Sequence, residues 1–85
     1  MFDFWGVTMK KAAFTYEIVQ HIATLAESGY RTKELNLVSY DGAAPKFDLR
    51  LWMHFDTGAK MGKGITLTQD ELLALRDVLN DVEVL

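Results

Sequence analysis

The central segment of the chain reads Lys46-Phe-Asp-Leu-Arg-Leu-Trp-Met-His-Phe55 and predicts a β-strand with two different faces. Side chains alternate across a strand, so the odd-numbered residues form an unbroken apolar row that we expect to be buried. The even-numbered residues include two cations, a tryptophan and a histidine, a mixture that grips phosphates and stacks bases. The alternative is an ordinary half-exposed strand with a solvated charged face, since antiparallel sheets commonly leave one face in water.

Length and composition predict one small domain whose own core gives it only marginal stability. A chain of 85 residues buries only roughly 60–65% of its unfolded surface. The chain has no cysteine, so neither disulfides nor a cysteine-based zinc site can add stability. Oligomerisation is the remaining common route, and we expect a homodimer. The sequence shows neither a signal peptide nor a membrane-spanning run, and we expect a cytoplasmic protein with no membrane partner.

Charge is distributed unevenly along the chain. The formal net charge is −3, made up of −1 over residues 1–29, +2 over residues 30–64 and −4 over residues 65–85. A negative sum argues against a nucleic-acid partner, but a partner that contacts one face responds to the local field. The basic middle segment therefore keeps nucleic acid among the candidates.

The first part of the chain predicts an extension followed by a strand. Residues 1–11 are interpreted as an N-terminal extension and residues 12–85 as the domain, because Met9-Lys10-Lys11 resembles a second start. Residues 1–8 are therefore expected to be dispensable for folding. Phe14 to Leu25 is dense in β-branched and aromatic residues, which favours a strand. A helix is also compatible with the spacing of its apolar residues.

Turn signals divide the rest of the sheet. Ser28-Gly29 predicts a turn before an alternating strand from Thr32 to Tyr40, and Asp41-Gly42 predicts a hairpin turn before the central strand. Two glycines flank Lys63 in the next strand, where they allow tight backbone curvature or the close approach of a ligand's backbone.

The end of the chain predicts a capped helix. Thr68-Gln-Asp-Glu71 matches a capping box, and the helical pattern continues to about Val84. Its apolar residues occupy an arc of about 160°, wider than one sheet face covers, while Leu73 falls on the opposite side. We therefore expect this helix to contact both its own sheet and a second subunit; a broad core helix with one exposed leucine is the alternative.

Two of these segments together resemble the transcriptional coactivator positive cofactor four (p15) family, and in particular its small bacterial (YdbC-type) members. The resemblance lies in Lys46-Phe-Asp-Leu-Arg50 with an aromatic at Trp52, and in Lys60-Met-Gly-Lys-Gly-Ile-Thr-Leu-Thr68 followed by a helix with Glu71. It extends from about Phe14 to Val82. It implies an α+β fold, a curved four-stranded antiparallel sheet followed by one C-terminal helix (β-β-β-β-α), dimerised through the helices.

The resemblance also implies a function and a set of contact residues. It implies sequence-independent binding of single-stranded or melted DNA, or of RNA, in support of transcription, replication or repair, with RNA polymerase or repair proteins as further partners. The residues that it places on the binding surface are Lys46, Arg50, Trp52, Lys60 and Lys63. The family's second aromatic position corresponds to Met53 here, which leaves Tyr30 or Tyr40 to assist Trp52 in stacking.

No catalytic, cofactor or metal motif is recognised. His21 and His54 match no ligand spacing, Ser28 and Ser39 lack a nucleophile-elbow context, and the glycines precede a strand rather than a helix. We therefore expect neither an enzyme nor a cofactor. The alternative function is a protein-interaction module in which the same sheet dimer binds a peptide or a polymerase.

Overall fold

The computed structural model describes residues 15–82, and within them four strands are followed by one helix. The strands run antiparallel in the order β1-β2-β3-β4, so each pairs with its neighbour in sequence. The elements are β1 (Tyr16–Ser28), β2 (Arg31–Tyr40), β3 (Lys46–Phe55), β4 (Gly58–Leu67) and α1 (Gln69–Asn80). The predicted fold class is confirmed. The extension predicted for residues 1–11 lies outside the described residues.

The two hairpin turns predicted before β2 and β3 are confirmed. Gly29 has a φ of 60° in the first turn, and Asp41 and Gly42 have φ of 50° and 78° in the second. Positive φ at both central residues is typical of the turn that suits the twist of paired strands. The Asp41 carboxylate also accepts a hydrogen bond from the backbone N–H of Thr15 at 2.9 Å, which ties this turn to the beginning of β1.

β1 does not follow simple alternation. Its pairing with β2 shifts between Ile18 and Gln20, between His21 and Ala23, and between Thr24 and Ala26. Each irregularity bends a strand and changes which side chains share a face. These shifts explain the break in the apolar pattern at Gln20, and they place the side chains of His21 and Thr24 opposite Asn36 and Glu34 of β2.

β3 and β4 approach each other closely at a glycine. Their register shifts between Arg50 and Trp52, and Gly64 lies directly opposite Arg50. A methyl group added to Gly64 would overlap Cβ of Arg50, and one added to Gly62 would lie 3.0 Å from the carbonyl oxygen of Leu51. The close approach at both glycines is therefore made by β3 of this chain.

The sheet has two side-chain faces, and the more deeply buried one is polar. The polar face contains the most buried side chains of the described residues, namely Val38, Trp52, Asn36 and Asp48, all between 0% and 1% exposed. The opposite face of the sheet, which we call the helix face because α1 lies on it, contains the odd-numbered row of β3. This row is only half-buried from Phe47 to Met53 and exposed at Phe55. Both interpretations of the even-numbered face, a nucleic-acid-binding surface and a solvated face, require exposed side chains, whereas Asp48 and Trp52 are buried.

The helix begins at the predicted capping box. The Thr68 hydroxyl accepts from the backbone N–H of Glu71, and the Glu71 carboxylate accepts from the backbone N–H of Thr68, completing the capping box. The helix ends at Asn80 instead of reaching about Val84, with Asp81 as its C-cap. Asp77 and Asp81 lie near the negative end of the helix dipole and no basic residue lies in the last turn, which disfavours extension.

α1 contacts β3 and β4 but buries none of its side chains. Between helix and sheet runs an open apolar groove of about 540 Å³. Its leucines are Leu25, Leu35, Leu49, Leu67, Leu72, Leu73, Leu75 and Leu79. Leu73, predicted to lie opposite the apolar arc, is thus one of the groove residues. None of the described helices is long and apolar enough to cross a membrane.

Candidate nucleic-acid interface

A buried ion pair organises the polar face. Arg50 Nε and Nη2 donate to the two oxygens of Asp48, each at 2.7 Å, and Arg50 Nη1 donates to the carbonyl of Gly62 at 3.0 Å. The Tyr40 hydroxyl donates to the same carboxylate at 2.5 Å. The Asp48 side chain is fully buried and that of Arg50 is 14% exposed. Three of the five guanidinium donors are therefore occupied within the fold.

The pKa values of Tyr40 and Arg50 are both raised in this cluster. Burial, together with the hydrogen bond to Asp48 and the negative charge of Asp48, raises the pKa of the Tyr40 hydroxyl to about 12. The hydrogen bonds to Asp48 raise the pKa of Arg50, which outweighs the opposing effect of burial. Tyr40 stays a neutral donor and Arg50 a cation at any physiological pH.

Trp52 lies deep in the same face and offers no ring face to a base. It is 1% exposed and packs against Tyr16, with ring centroids 5.6 Å apart and an interplanar angle of 55°. Its buried indole Nε1 has no hydrogen-bond partner among the described residues, so packing holds the ring in place. The structure thus places Trp52 in the protein interior, in contrast to the base platform expected from the sequence.

A second polar cluster surrounds Glu34 at the centre of β2. Its carboxylate accepts hydrogen bonds from the Thr32 hydroxyl and from Asn36 Nδ2, the latter at 3.2 Å. Nδ1 of His21 and Nε2 of His54 each lie 3.5 Å from one of its oxygens. Burial alone would raise the pKa of Glu34, but the two hydrogen bonds and the nearby histidines lower it below the ordinary value of 4.5.

Four cations cluster instead on the helix face, beyond the part that the helix covers. Arg31 and Lys60 both pair with Met53, and Lys33 pairs with Leu51, so their side chains share one face. Lys63 lines a surface hollow of about 400 Å³ together with Lys33 and Leu51. We call this region the basic end, and it comprises Arg31, Lys33, Lys60 and Lys63 around Leu51, Met53 and Phe55.

The cations of the basic end are available to a ligand. All four side chains are exposed, and no carboxylate of residues 15–82 lies within salt-bridge distance of them. Lys46 is equally exposed but lies on the polar face, paired with Val38. It is seven residues along β3 from Met53, which corresponds to about 23 Å.

The five residues expected to form one surface are therefore divided between three places. Lys60 and Lys63 meet at the basic end, Lys46 lies alone at the far end of β3, and Arg50 and Trp52 are built into the polar face. Sequence reasoning missed Arg31 and Lys33 as members of the cluster. Their alternation along β2 was a usable signal, but only the register with β3 places them beside Lys60 and Lys63.

The described residues show no geometry for metal binding. Within residues 15–82, no group of three His, Cys, Asp or Glu side chains is placed to hold a metal ion. The Glu34 cluster brings two histidines to one carboxylate, and its polar atoms are hydrogen-bonded to one another.

Comparison with known proteins identifies relatives over most of this structure. Residues 30–78, from the turn before β2 into the last turns of α1, match the sequence model of the family described as Transcriptional Coactivator p15 (PC4). The chain is also similar to a protein of Treponema pallidum (strain Nichols) described as uncharacterized. The two are 42% identical over 72 residues, which covers 84% of this chain and 82% of that protein.

Replacing Arg50 with alanine is expected to destabilise the fold. The substitution leaves the buried Asp48 carboxylate without its cation, and breaking a buried pair in this way costs about 3–5 kcal/mol of unfolding free energy. Urea denaturation at fixed protein concentration measures the loss. The matched control is Lys46→Ala, an exposed cation on the same strand and face, which should stay within about 0.5 kcal/mol of wild type. Equal stability of the two variants would contradict a structural role for Arg50.

Glu34→Gln is expected to flatten the acid limb of the stability profile. Because the folded-state pKa of Glu34 is depressed, its stabilising contribution is full above the ordinary value of 4.5 and is lost as the pH falls through the folded-state pKa. Melting temperatures measured by circular dichroism from neutral pH downward should therefore differ between wild type and variant above 4.5 and converge below it. Glu17→Gln, an exposed position on β1, is the control. A constant difference at every pH would argue against the assigned ionisation.

Proposed function

This chain belongs to the Transcriptional Coactivator p15 (PC4) family, and from that membership we propose that it binds single-stranded DNA without reading its sequence. The family binds nucleic acid and is not enzymatic. The match over residues 30–78 carries the proposal, because it includes all four cations of the basic end. The proposed setting is the cytoplasm, in support of transcription, with RNA polymerase or replication and repair proteins as further partners.

The basic end supplies the proposed phosphate contacts. Lys60 and Lys63, with Arg31 and Lys33 across β3, present four positive charges that no described carboxylate neutralises. Phosphates attract such a cluster and release counterions when they bind. Lys46 is proposed as a separate contact, reached by a longer strand. Arg50 and Trp52 contribute by holding β3 and β4 in position.

The shape of the surface favours a single strand over a duplex. The sheet bends at three irregularities in the pairing of β1 and at one between β3 and β4. A duplex is stiff over about 150 base pairs, whereas a single strand can follow a bent surface at little cost. Its bases are also exposed for contact with apolar and aromatic side chains.

The exposed helix supports the proposal that the protein acts as a homodimer. Leu73, Leu75 and Leu79 are between 38% and 44% exposed and border an open groove whose exposed lining is largely apolar. Val78 on the same helix is 58% exposed. A chain of this size gains stability by burying such a surface. The α1 helix of a second copy is the proposed occupant, and pairing in this way places two basic ends on one particle.

Leu79→Asp is therefore expected to lower both the mass of the particle in solution and its thermal stability. A charge in the groove opposes burial against a second copy, so light scattering at micromolar concentration should show a dimer for wild type and a monomer for the variant. Gln69→Asp adds the same charge on the exposed first turn of α1 and should remain dimeric. A folded monomer of wild type in solution would contradict the proposed homodimer.

The salt dependence of binding tests the proposed function directly. Wild type should bind a thymidine strand more tightly than a duplex, with an affinity that falls steeply as salt rises. Lys63→Ala should reduce the slope of log affinity against log salt by roughly 0.7, the value for one lost single-strand phosphate contact. Lys63→Arg keeps the charge and should keep the slope. The measurement is fluorescence anisotropy of a labelled strand, with an RNA strand of equal length for comparison.

Two results would contradict the proposal. If duplex competed as well as single strand, the preference for single strands would be contradicted. If the protein bound no nucleic acid, the alternative function, a protein-interaction module, would be favoured. A peptide groove releases few counterions, so its binding would change little with salt.

A further inference from the structure

Two aromatic rings stand together at the outer edge of the basic end. Tyr30 lies in the turn between β1 and β2, and Phe55 is the last residue of β3. Their ring centroids are 5.4 Å apart with an interplanar angle of 35°, and the two residues are 48% and 45% exposed. The backbone N–H of His54 donates to the Tyr30 carbonyl at 2.7 Å, which fixes the turn against β3. The pair is therefore exposed but held in place by the backbone.

Each ring has its own cation. The guanidinium carbon of Arg31 lies 5.4 Å from the Tyr30 ring centroid, and Nζ of Lys60 lies 5.9 Å from the Phe55 ring centroid. Both distances are within the range of a cation–π contact. Neither cation has a carboxylate partner among residues 15–82. The cluster thus combines flat apolar surfaces with free positive charge on both sides.

We propose that Tyr30 and Phe55 form the platform on which bases of a bound single strand stack, while Arg31 and Lys60 hold the neighbouring phosphates. This inference rests on the proposed function and assigns the stacking role to residues other than Trp52, which is buried. Aromatic side chains beside a positively charged groove are the common means by which proteins bind single strands without sequence preference. A duplex cannot use the platform, since its base faces are already stacked.

The occupant is argued from the charges beside the rings. An apolar peptide would be held by the rings alone and would leave both cations without a partner. A strand of nucleic acid supplies a base for each ring and a phosphate for each cation at alternating positions along its backbone. The cluster therefore fits a polyanion that carries aromatic bases.

The test separates stacking from charge. Phe55→Leu and Tyr30→Leu remove a ring, whereas Phe55→Tyr and Tyr30→Phe keep it and are the matched controls. The two ligands are a thymidine strand of about ten nucleotides, which exceeds the smallest single-strand sites, and an abasic strand of equal length. Each leucine variant should bind the thymidine strand roughly 5- to 150-fold more weakly, with an unchanged salt slope and unchanged affinity for the abasic strand. The controls should stay within about twofold of wild type, since they keep the ring that stacks.

Each other outcome decides against the platform. Folded leucine variants that bind thymidine as tightly as wild type would overturn it while leaving the proposed function intact. Equal losses on both strands would show that the rings only position the cations. Failure of wild type to bind any single strand would overturn the proposed function, and the platform with it.

A second measurement uses wild-type protein, so it tests the platform even if the leucine variants do not fold. Wild-type protein is irradiated with a thymidine strand that carries 5-iodouracil, and the cross-linked peptide is identified by mass spectrometry. Cross-links at Tyr30 or Phe55 support the platform. Cross-links confined to other residues overturn it.

Discussion

The buried carboxylate of Asp48 is the constraint on which the rest of the sheet depends. A charge without solvent must be matched by donors, and here Arg50 supplies two and Tyr40 a third. Tyr40 lies on β2, Asp48 and Arg50 on β3, and Arg50 extends on to the Gly62 carbonyl of β4. One ion pair therefore joins three adjacent strands. It also explains why the polar face can be the interior of this protein.

That assignment of the interior leaves the helix face open for binding. The apolar row of β3 is half-buried, the helix buries none of its side chains, and the free cations lie where the helix does not reach. Function and assembly are thus proposed on the same side of the sheet, at opposite ends of β3. Rigid positions on strands suit a binding surface, because the scaffold fixes the spacing between charges.

Local signals were sufficient to predict the fold, and long-range register decided the site. The bounds of β3, the turn at Asp41-Gly42 and the capping box at Thr68 follow from residue chemistry within a few positions, and all were confirmed. Alternation correctly divided β3 into two faces but could not tell which would be buried, because mutual hydrogen bonds let polar residues enter an interior. The position of Lys63 beside β3 depends on a shift in strand pairing between Arg50 and Trp52, which no sequence pattern predicts.

The contact between Gly64 and Arg50 has an evolutionary consequence. Any side chain at position 64 would displace the stem of Arg50, and with it the guanidinium that neutralises Asp48. Replacing Arg50 would not make room for a side chain at position 64, because Cα of Arg50 and the carbonyl oxygen of Leu49 each lie 2.6 Å from the added carbon. Position 64 should therefore remain glycine in descendants of this chain, even where Asp48 and Arg50 have been replaced.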